Sequence, residues 1–166
     1  NYMGWGRGEG EHHVSLQVLP CDYDYLRTMQ LKIVEGRNFN ESDMKTGAYV
    51  LNKAAMVQYK WLVVGDSIGR QNDWDSQSNY NIVGVCENFK LKSMRCDNSN
   101  VAVAFIIFGP NMADWGDRCG QVFVRVAKNQ DKIEAKRRIA EVLNKLDGSQ
   151  KYEMKFLDDD LQQTYV

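Results

Sequence analysis

Histidine is nearly missing from this sequence: His12 and His13, close to the amino end, are the only two. A Ser/His/Asp or Cys/His catalytic set needs an imidazole beside its nucleophile, so hydrolase chemistry has little to rest on. Adjacent residues on a strand point to opposite faces, so the pair cannot easily share one ion with Glu11, and a surface strand end is the better reading. Cysteine occurs four times, as Cys21, Cys86, Cys96 and Cys119, with no C-x-x-C, which excludes a zinc ribbon or thioredoxin-like site. Buried thiols are the plain expectation. In an oxidising compartment one bridge becomes plausible, and Cys96 with Cys119 is the first choice because both flank the apolar run 101–108. The disulfide state of all four stays open.

Charge of one sign is also lacking. Twenty-one basic residues face 22 acidic ones, a net charge of −1, which leaves no electrostatic footprint for nucleic acid and no polybasic patch for anionic lipid. The longest apolar run, VAVAFIIF, falls far short of the roughly 18 to 20 residues that span a bilayer as a helix. No basic-then-apolar leader opens the chain and Asn1 is not an initiator Met, so the expectation is a piece excised from a longer protein. GDSIGR at 65–70 lacks the spacing, lysine and terminal Ser/Thr of a phosphate-binding loop and reads as a pair of turns. Asp158, Asp159 and Asp160 have no EF-hand spacing and read as the acidic start of a helix. These absences leave no catalytic, cofactor-binding or metal residue to nominate.

What is present is enough apolar sequence for one sizeable core: 43% hydrophobic residues across 166. The glycine-rich opening NYMGWGRGEGE reads as a loop. HHVSLQVLP alternates Val14, Leu16 and Val18 as a strand, DYDYLRTMQ makes a short helix capped by Asp22, and LKIVEG is a second strand. AYVLN is a strand, with Asn52 as the N-cap of KAAMVQYKW. After a polar, turn-rich stretch at 63–79, YNIVGVC is apolar on both faces, which predicts a central strand. VAVAFIIF and QVFVRVA predict two more strands, DKIEAKRRIAEVLNKLDG a long amphipathic helix stopped at Gly148, and KYEMKF a last strand. Strands follow one another too often for a doubly wound sheet. The expected class is α+β, a mixed and largely antiparallel sheet with packed helices.

Two features invite a functional reading. Trp74 and Trp115 lie in long polar loops, and such aromatics suit a partner-facing surface. Gly36-Arg37 follows an apolar strand, but nothing around it supplies converging donors or a nucleophile. Gly36 is expected to give the bend, Arg37 to brace it through carbonyl or carboxylate hydrogen bonds, and Phe39 to pack inward, with Asn40 opening a capped turn over Asp43.

The segments CDYDYLRTMQLKIVEGRNF, YVLNKAAMVQYKW, VGDSIGR, YNIVGVCENFKLKSM, VFVRV and YEMKFLDDDLQQTYV, in this order, resemble the extracytoplasmic domain of MacB/FtsX-type ABC transporter permeases, especially those of Bacteroidetes. The resemblance covers about residues 18–166 and rests on the order and spacing of the segments. It implies a MacB-like periplasmic domain with porter-like and β-rich subdomains, the β-rich part within about 31–90 of a single domain 1–166, and a further strand and helix ahead of residue 1. It also implies a domain on the periplasmic side of the inner membrane, with DDDLQQTYV leading into a transmembrane helix.

The role so implied is not enzymatic. ATP would be bound and hydrolysed by a separate cytoplasmic subunit, and the permease, as a homodimer or pair, would carry that motion outward. The work done would be export or extraction of substrate, or regulation of a partner, with a periplasmic adaptor as a further partner. Two rivals stand beside this: an extracytoplasmic sensor holding a small ligand between sheet and helix, and an enzyme using Cys86 or Cys119 as nucleophile.

Overall fold

A computed structural model of the chain describes residues 2–7, 12–70, 79–89, 101–109, 121–146, 148 and 152–156. It divides into two compact units, Asn1–Phe123 and Val124–Val166. Among its described residues the first holds seven strands: β1 (Tyr2–Arg7), β2 (His12–Pro20), β3 (Ile33–Gly36), β4 (Ala48–Asn52), β5 (Ser67–Arg70), β6 (Tyr80–Cys86) and β7 (Val103–Ile107). Three short helices join it: α1 (Tyr25–Thr28), α2 (Asp43–Thr46) and α3 (Lys53–Gln58).

The sheet order is β3-β6-β4-β7-β2-β1-β5, and β5 pairs back onto β6. Six strands therefore close into a ring, with β3 added on β6. Only β2 with β7 and β4 with β6 run parallel; the other pairings are antiparallel. The fold is thus mixed α+β with a largely antiparallel sheet, and closure removes most of the edge an open sheet exposes.

Side-chain alternation sorts the core into two clusters. Val14, Leu16 and Val18 of β2, Tyr49 and Leu51 of β4, Ile68 of β5, Tyr80 and Ile82 of β6, and Ala104 and Ile106 of β7 share one. Ala48 and Val50 of β4, with Val103, Phe105 and Ile107 of β7, join the other, beside Cys21, Leu26, Phe39 and Cys86. Every residue of β4 and β7 is buried, so these two strands have a core on each face. Leu26 of α1 and the residues flanking α2 cover the second face.

Asn52 ties the centre together. Its Oδ1 accepts from the amides of Ala55, at 3.0 Å, and Val103, at 2.9 Å, while Nδ2 donates to the Val101 carbonyl at 2.8 Å. One side chain thus caps α3 and holds the entry of β7, and Asn88 Oδ1 accepts a second orphan amide of the helix, from Ala54. At the other end of α3 the Tyr59 hydroxyl accepts from the Ser15 amide and donates to the Ser15 carbonyl, standing in for a ladder partner beside β2.

The second unit contains α4 (Lys132–Leu146). None of its residues is buried, and Ile133, Val142 and Leu146 of its apolar stripe are exposed. Its polar side is laced by Glu134 accepting from Arg137 and Arg138, with Arg137 also paired to Glu141. The hydrogen bonds from Arg137 and then Arg138 hold the Glu134 carboxyl down at about 2.

Several sequence expectations need correction. The glycine-rich opening contains a strand, β1, because backbone pairing to β2 over six residues supplies what its side chains do not signal. The polar stretch after Trp61 contains β5, whose one inward residue, Ile68, is too little alternation to read as a strand. Residues 121–127 and 152–156 have the strand pattern but no ladder partner among the described residues, since alternation marks a candidate strand and pairing makes one. The α1 cap is Asp24, with Asp22 Oδ1 accepting the Asp24 amide. The expected helix at Asp158–Asp160 lies outside the described residues.

Asn52→Ala removes three hydrogen bonds and strands three backbone groups, two of them from a segment roughly fifty residues away. It should lower unfolding free energy by about 3 kcal/mol, well above the ~1 kcal/mol of an ordinary cap loss. Urea denaturation measures this, and a loss confined to the cap value would show that the β7 contacts contribute nothing.

Candidate functional site

Strand β3 ends where two glycines face each other, Gly36 opposite Gly84 in the ladder. Gly36 has φ 68°, in the left-handed region, and a Cβ there would run into the Val83 carbonyl. A Cβ on Gly84 would collide with the Arg37 carbonyl, so the backbones can approach this closely only without side chains. The turn leaves the Arg37 amide donating to Val83 O at 2.9 Å and swings the guanidinium over α2.

There Arg37 grips Asp43 with both arms. Nη1 donates to Oδ2 at 2.7 Å and Nη2 to Oδ1 at 2.8 Å, while Nη1 also donates to the Asn38 carbonyl. The Asp43 side chain is 4% exposed and that of Arg37 47%, so one partner is sunk in the fold and the other reaches water. Asp43 Oδ2 accepts the Asn40 amide as well, and Asn40 Oδ1 accepts from the Ser42 amide. Burial alone would raise the Asp43 carboxyl, but the Arg37 and Asn40 hydrogen bonds and the Arg37 charge outweigh it, and its pKa is lowered. Phe39, 3% exposed, fills the second core beneath this corner. The hydrogen bonds of Arg37, Asp43 and Asn40 all run within the corner, so its chemistry is bracing.

Trp74 and Trp115 lie outside the described residues, as do Cys96 and Cys119. Cys21 and Cys86 are both buried. Burial pushes the Cys86 thiol up to about 12, so at neutral pH it is protonated and poorly suited to attack an electrophile. Among the described residues no three His, Cys, Asp or Glu side chains come together as metal ligands, and no helix is long and apolar enough to cross a membrane.

Sequence reasoning missed three non-local ties: Asn52 to β7, Tyr59 to β2, and a row of rings, Phe123–Tyr25–Phe105–Phe89. The cap motif at Asn52 was visible; its second role joins residues too far apart in sequence for spacing to show.

A family model, the MacB-like periplasmic core domain, matches residues 3–142. The chain belongs to this family. Among solved structures, the periplasmic region of MacB from Actinobacillus actinomycetemcomitans matches with a TM-score of 0.63 at 13% identity, over 99% of this chain and 72% of that one. A domain of a putative permease protein from Porphyromonas gingivalis matches at 0.61 and 11%, over 87% of this chain and 65% of that one. The extracellular domain of the noncanonic ABC-type transporter YknZ from Gram-positive bacteria matches at 0.56 and 15%, over 90% and 73%. At these identities the likeness is one of fold. Among curated proteins nothing matches. The MacB-like core domain assignment makes the chain a periplasmic domain of an ABC transporter permease.

Arg37→Ala should cost the MacB-like domain about 2 kcal/mol, below the roughly 3–5 kcal/mol of a fully buried broken pair because the guanidinium is half in water. Arg37→Lys, unable to chelate both oxygens, should cost roughly half as much. The folded carboxyl titrates below the ordinary aspartate value of 3.8, so its contribution is present above that value and disappears as pH falls through the lower folded one. The stability gap between wild type and Asp43→Asn should therefore shrink below pH 3.8 in chemical denaturation series, and a gap constant in acid would refute the pairing.

Proposed function

We propose that this domain transmits force: it couples ATP hydrolysis by a separate cytoplasmic subunit to work outside the membrane. That work is export or extraction of a substrate, or regulation of a partner. The observation that carries the reading is the family match over residues 3–142. The physical support is the closed sheet with a core on each face of β4 and β7, since close-packed interiors pass displacement on instead of absorbing it.

On this reading the domain is not an enzyme and binds no cofactor of its own, ATP being held by the nucleotide-binding subunit. Its partners are that subunit, reached through the membrane part of the permease, a second permease copy or paired permease, and a periplasmic adaptor. Its place is the periplasmic face of the inner membrane. The porter-like subdomain is completed by a strand and helix of the parent permease, a part of the same proposal. Trp74 and Trp115 are proposed as adaptor or partner contacts.

The parent protein should fractionate with membranes and copurify with an ATPase subunit. A parent recovered as a soluble protein without one would overturn the reading. In that full-length permease, Trp74→Ala and Trp115→Ala should each reduce efflux or extraction severalfold, as loss of an aromatic interface anchor does, while the melting temperature of the domain stays unchanged. Wild-type activity in both variants would remove the two tryptophans from the proposal.

A further inference from the structure

We propose that the Tyr59 hydroxyl is an edge guard: it fills the open edge of β2 at Ser15 and so keeps that strand from pairing with a second copy of this chain. The inference concerns the unit Asn1–Phe123 by itself and stands independently of the force-transmission reading. Strand β2 pairs with β1 along His12–Gln17, while its other edge meets β7 from Gln17 to Pro20. On that second edge the Gln17 amide donates to the Ala102 carbonyl at 2.9 Å. The backbone groups of a strand alternate between its edges with period two, so Ser15 turns its amide and carbonyl to this same edge, two residues short of β7.

Tyr59 occupies the place a strand residue would take. Its hydroxyl accepts from the Ser15 amide at 2.8 Å and donates to the Ser15 carbonyl at 2.9 Å, so one side-chain oxygen replaces both a backbone acceptor and a backbone donor. Gln58 Nε2 donates to the same oxygen at 2.8 Å, which fills its second lone pair and leaves its proton for Ser15. The oxygen is held in position from behind. The Tyr59 amide donates to the Ala55 carbonyl at 2.9 Å, its carbonyl accepts from the amide of buried Leu62 at 3.0 Å, and its ring packs against the first core cluster.

A strand edge with free amides and carbonyls is a template for another strand, and folds blunt such edges with charge, proline, a bulge or a covering segment. From His12 to Leu19, β2 has no proline, lysine, arginine or carboxylate, and Ser15 is exposed. Tyr59 is therefore the cover. The occupant this edge fits is its own counterpart on a second copy. Antiparallel pairing centred on Val14 sets Ser15 of each copy opposite His13 of the other and leaves Gln17 with Ala102 in both, and no like charges meet across the pair. With the hydroxyl seated, Ser15 has nothing left to offer such a strand.

Sedimentation equilibrium of the 166-residue chain, under reducing conditions that keep thiols from linking copies, reads this directly. Tyr59→Phe keeps the packed ring and removes the hydroxyl, and its dimer association constant should exceed that of wild type at least about tenfold. Tyr59→Leu, a second apolar replacement that checks against a folding defect particular to the first, should associate likewise. Adding Ser15→Lys to Tyr59→Phe places a charge on the opened edge and should restore the wild-type association constant. Tyr59→Phe and Tyr59→Leu chains no more associated than wild type would overturn the guard, and so would association that Ser15→Lys leaves untouched. Neither result bears on force transmission, which copurification of the parent permease with its ATPase tests separately.

Discussion

Strands β4 and β7 have no face left for water, and the rest of the barrel unit follows from that. Their backbone groups can be satisfied only by neighbouring strands, so each must be paired on both edges, as β4 is by β6 and β7 and β7 by β4 and β2. Their side chains must alternate between two apolar environments. Tyr49, Leu51, Ala104 and Ile106 go to one cluster, and Ala48, Val50, Val103, Phe105 and Ile107 to the other. Closing the sheet into a ring creates the first environment, and α1 with the segments around α2 creates the second. Burial of each such aliphatic side chain is worth roughly 2 kcal/mol, which makes this pair of strands the most costly part of the unit to separate.

A doubly buried centre moves the difficulty to its ends, where the chain must turn and polar groups go under cover. The structure meets this with side chains that each satisfy several backbone groups. Asn52 closes the end of β4, the start of α3 and the entry to β7 with one amide. Asp43 does the same at the Gly36 corner, taking both arms of Arg37 and the Asn40 amide. The contrast is α4, which has no buried residue and is held along its polar side by i,i+3 and i,i+4 ion pairs of the kind that contribute only tenths of a kcal/mol each. Among the described residues stability is thus concentrated around β4 and β7.

What could be read from the sequence divides along physical lines. Strands whose burial imprints alternation or a continuous apolar run, such as HHVSLQVLP, AYVLN and YNIVGVC, were legible, and so were α3 with its Asn52 cap and the long amphipathic helix. Elements held by backbone pairing alone were not. YMGWGR carries three polar or glycine positions and SIGR a single inward residue, so nothing in either distinguishes a strand from a loop. The reverse failure is QVFVRVA, which has a strand's pattern and no partner among the described residues. At the candidate site, local chemistry was readable because Gly36, Arg37, Asn40 and Asp43 lie within eight positions of one another. Ring closure, the second role of Asn52 and the row from Phe123 to Phe89 depend on contacts between distant residues, which no local pattern records.

The polar groups of the fold bear on what such a domain is for. A catalytic site keeps reactive groups unsatisfied or poised, with pKa values moved toward the working pH. At the described Asp43 and Cys86 the shifts run the other way. Asp43 is driven further into its charged form, and the Cys86 thiol is driven further into its neutral one at about 12. Hydrogen-bonding capacity at Asn52, Asp43 and Tyr59 is used to fasten one element to another. Asn1–Phe123, a unit that places its polar chemistry in fastenings and its packing on both faces of two central strands, is suited to moving as one piece. On the proposed force-transmitting role, that is the property the first unit needs if motion generated elsewhere is to emerge from it undiminished.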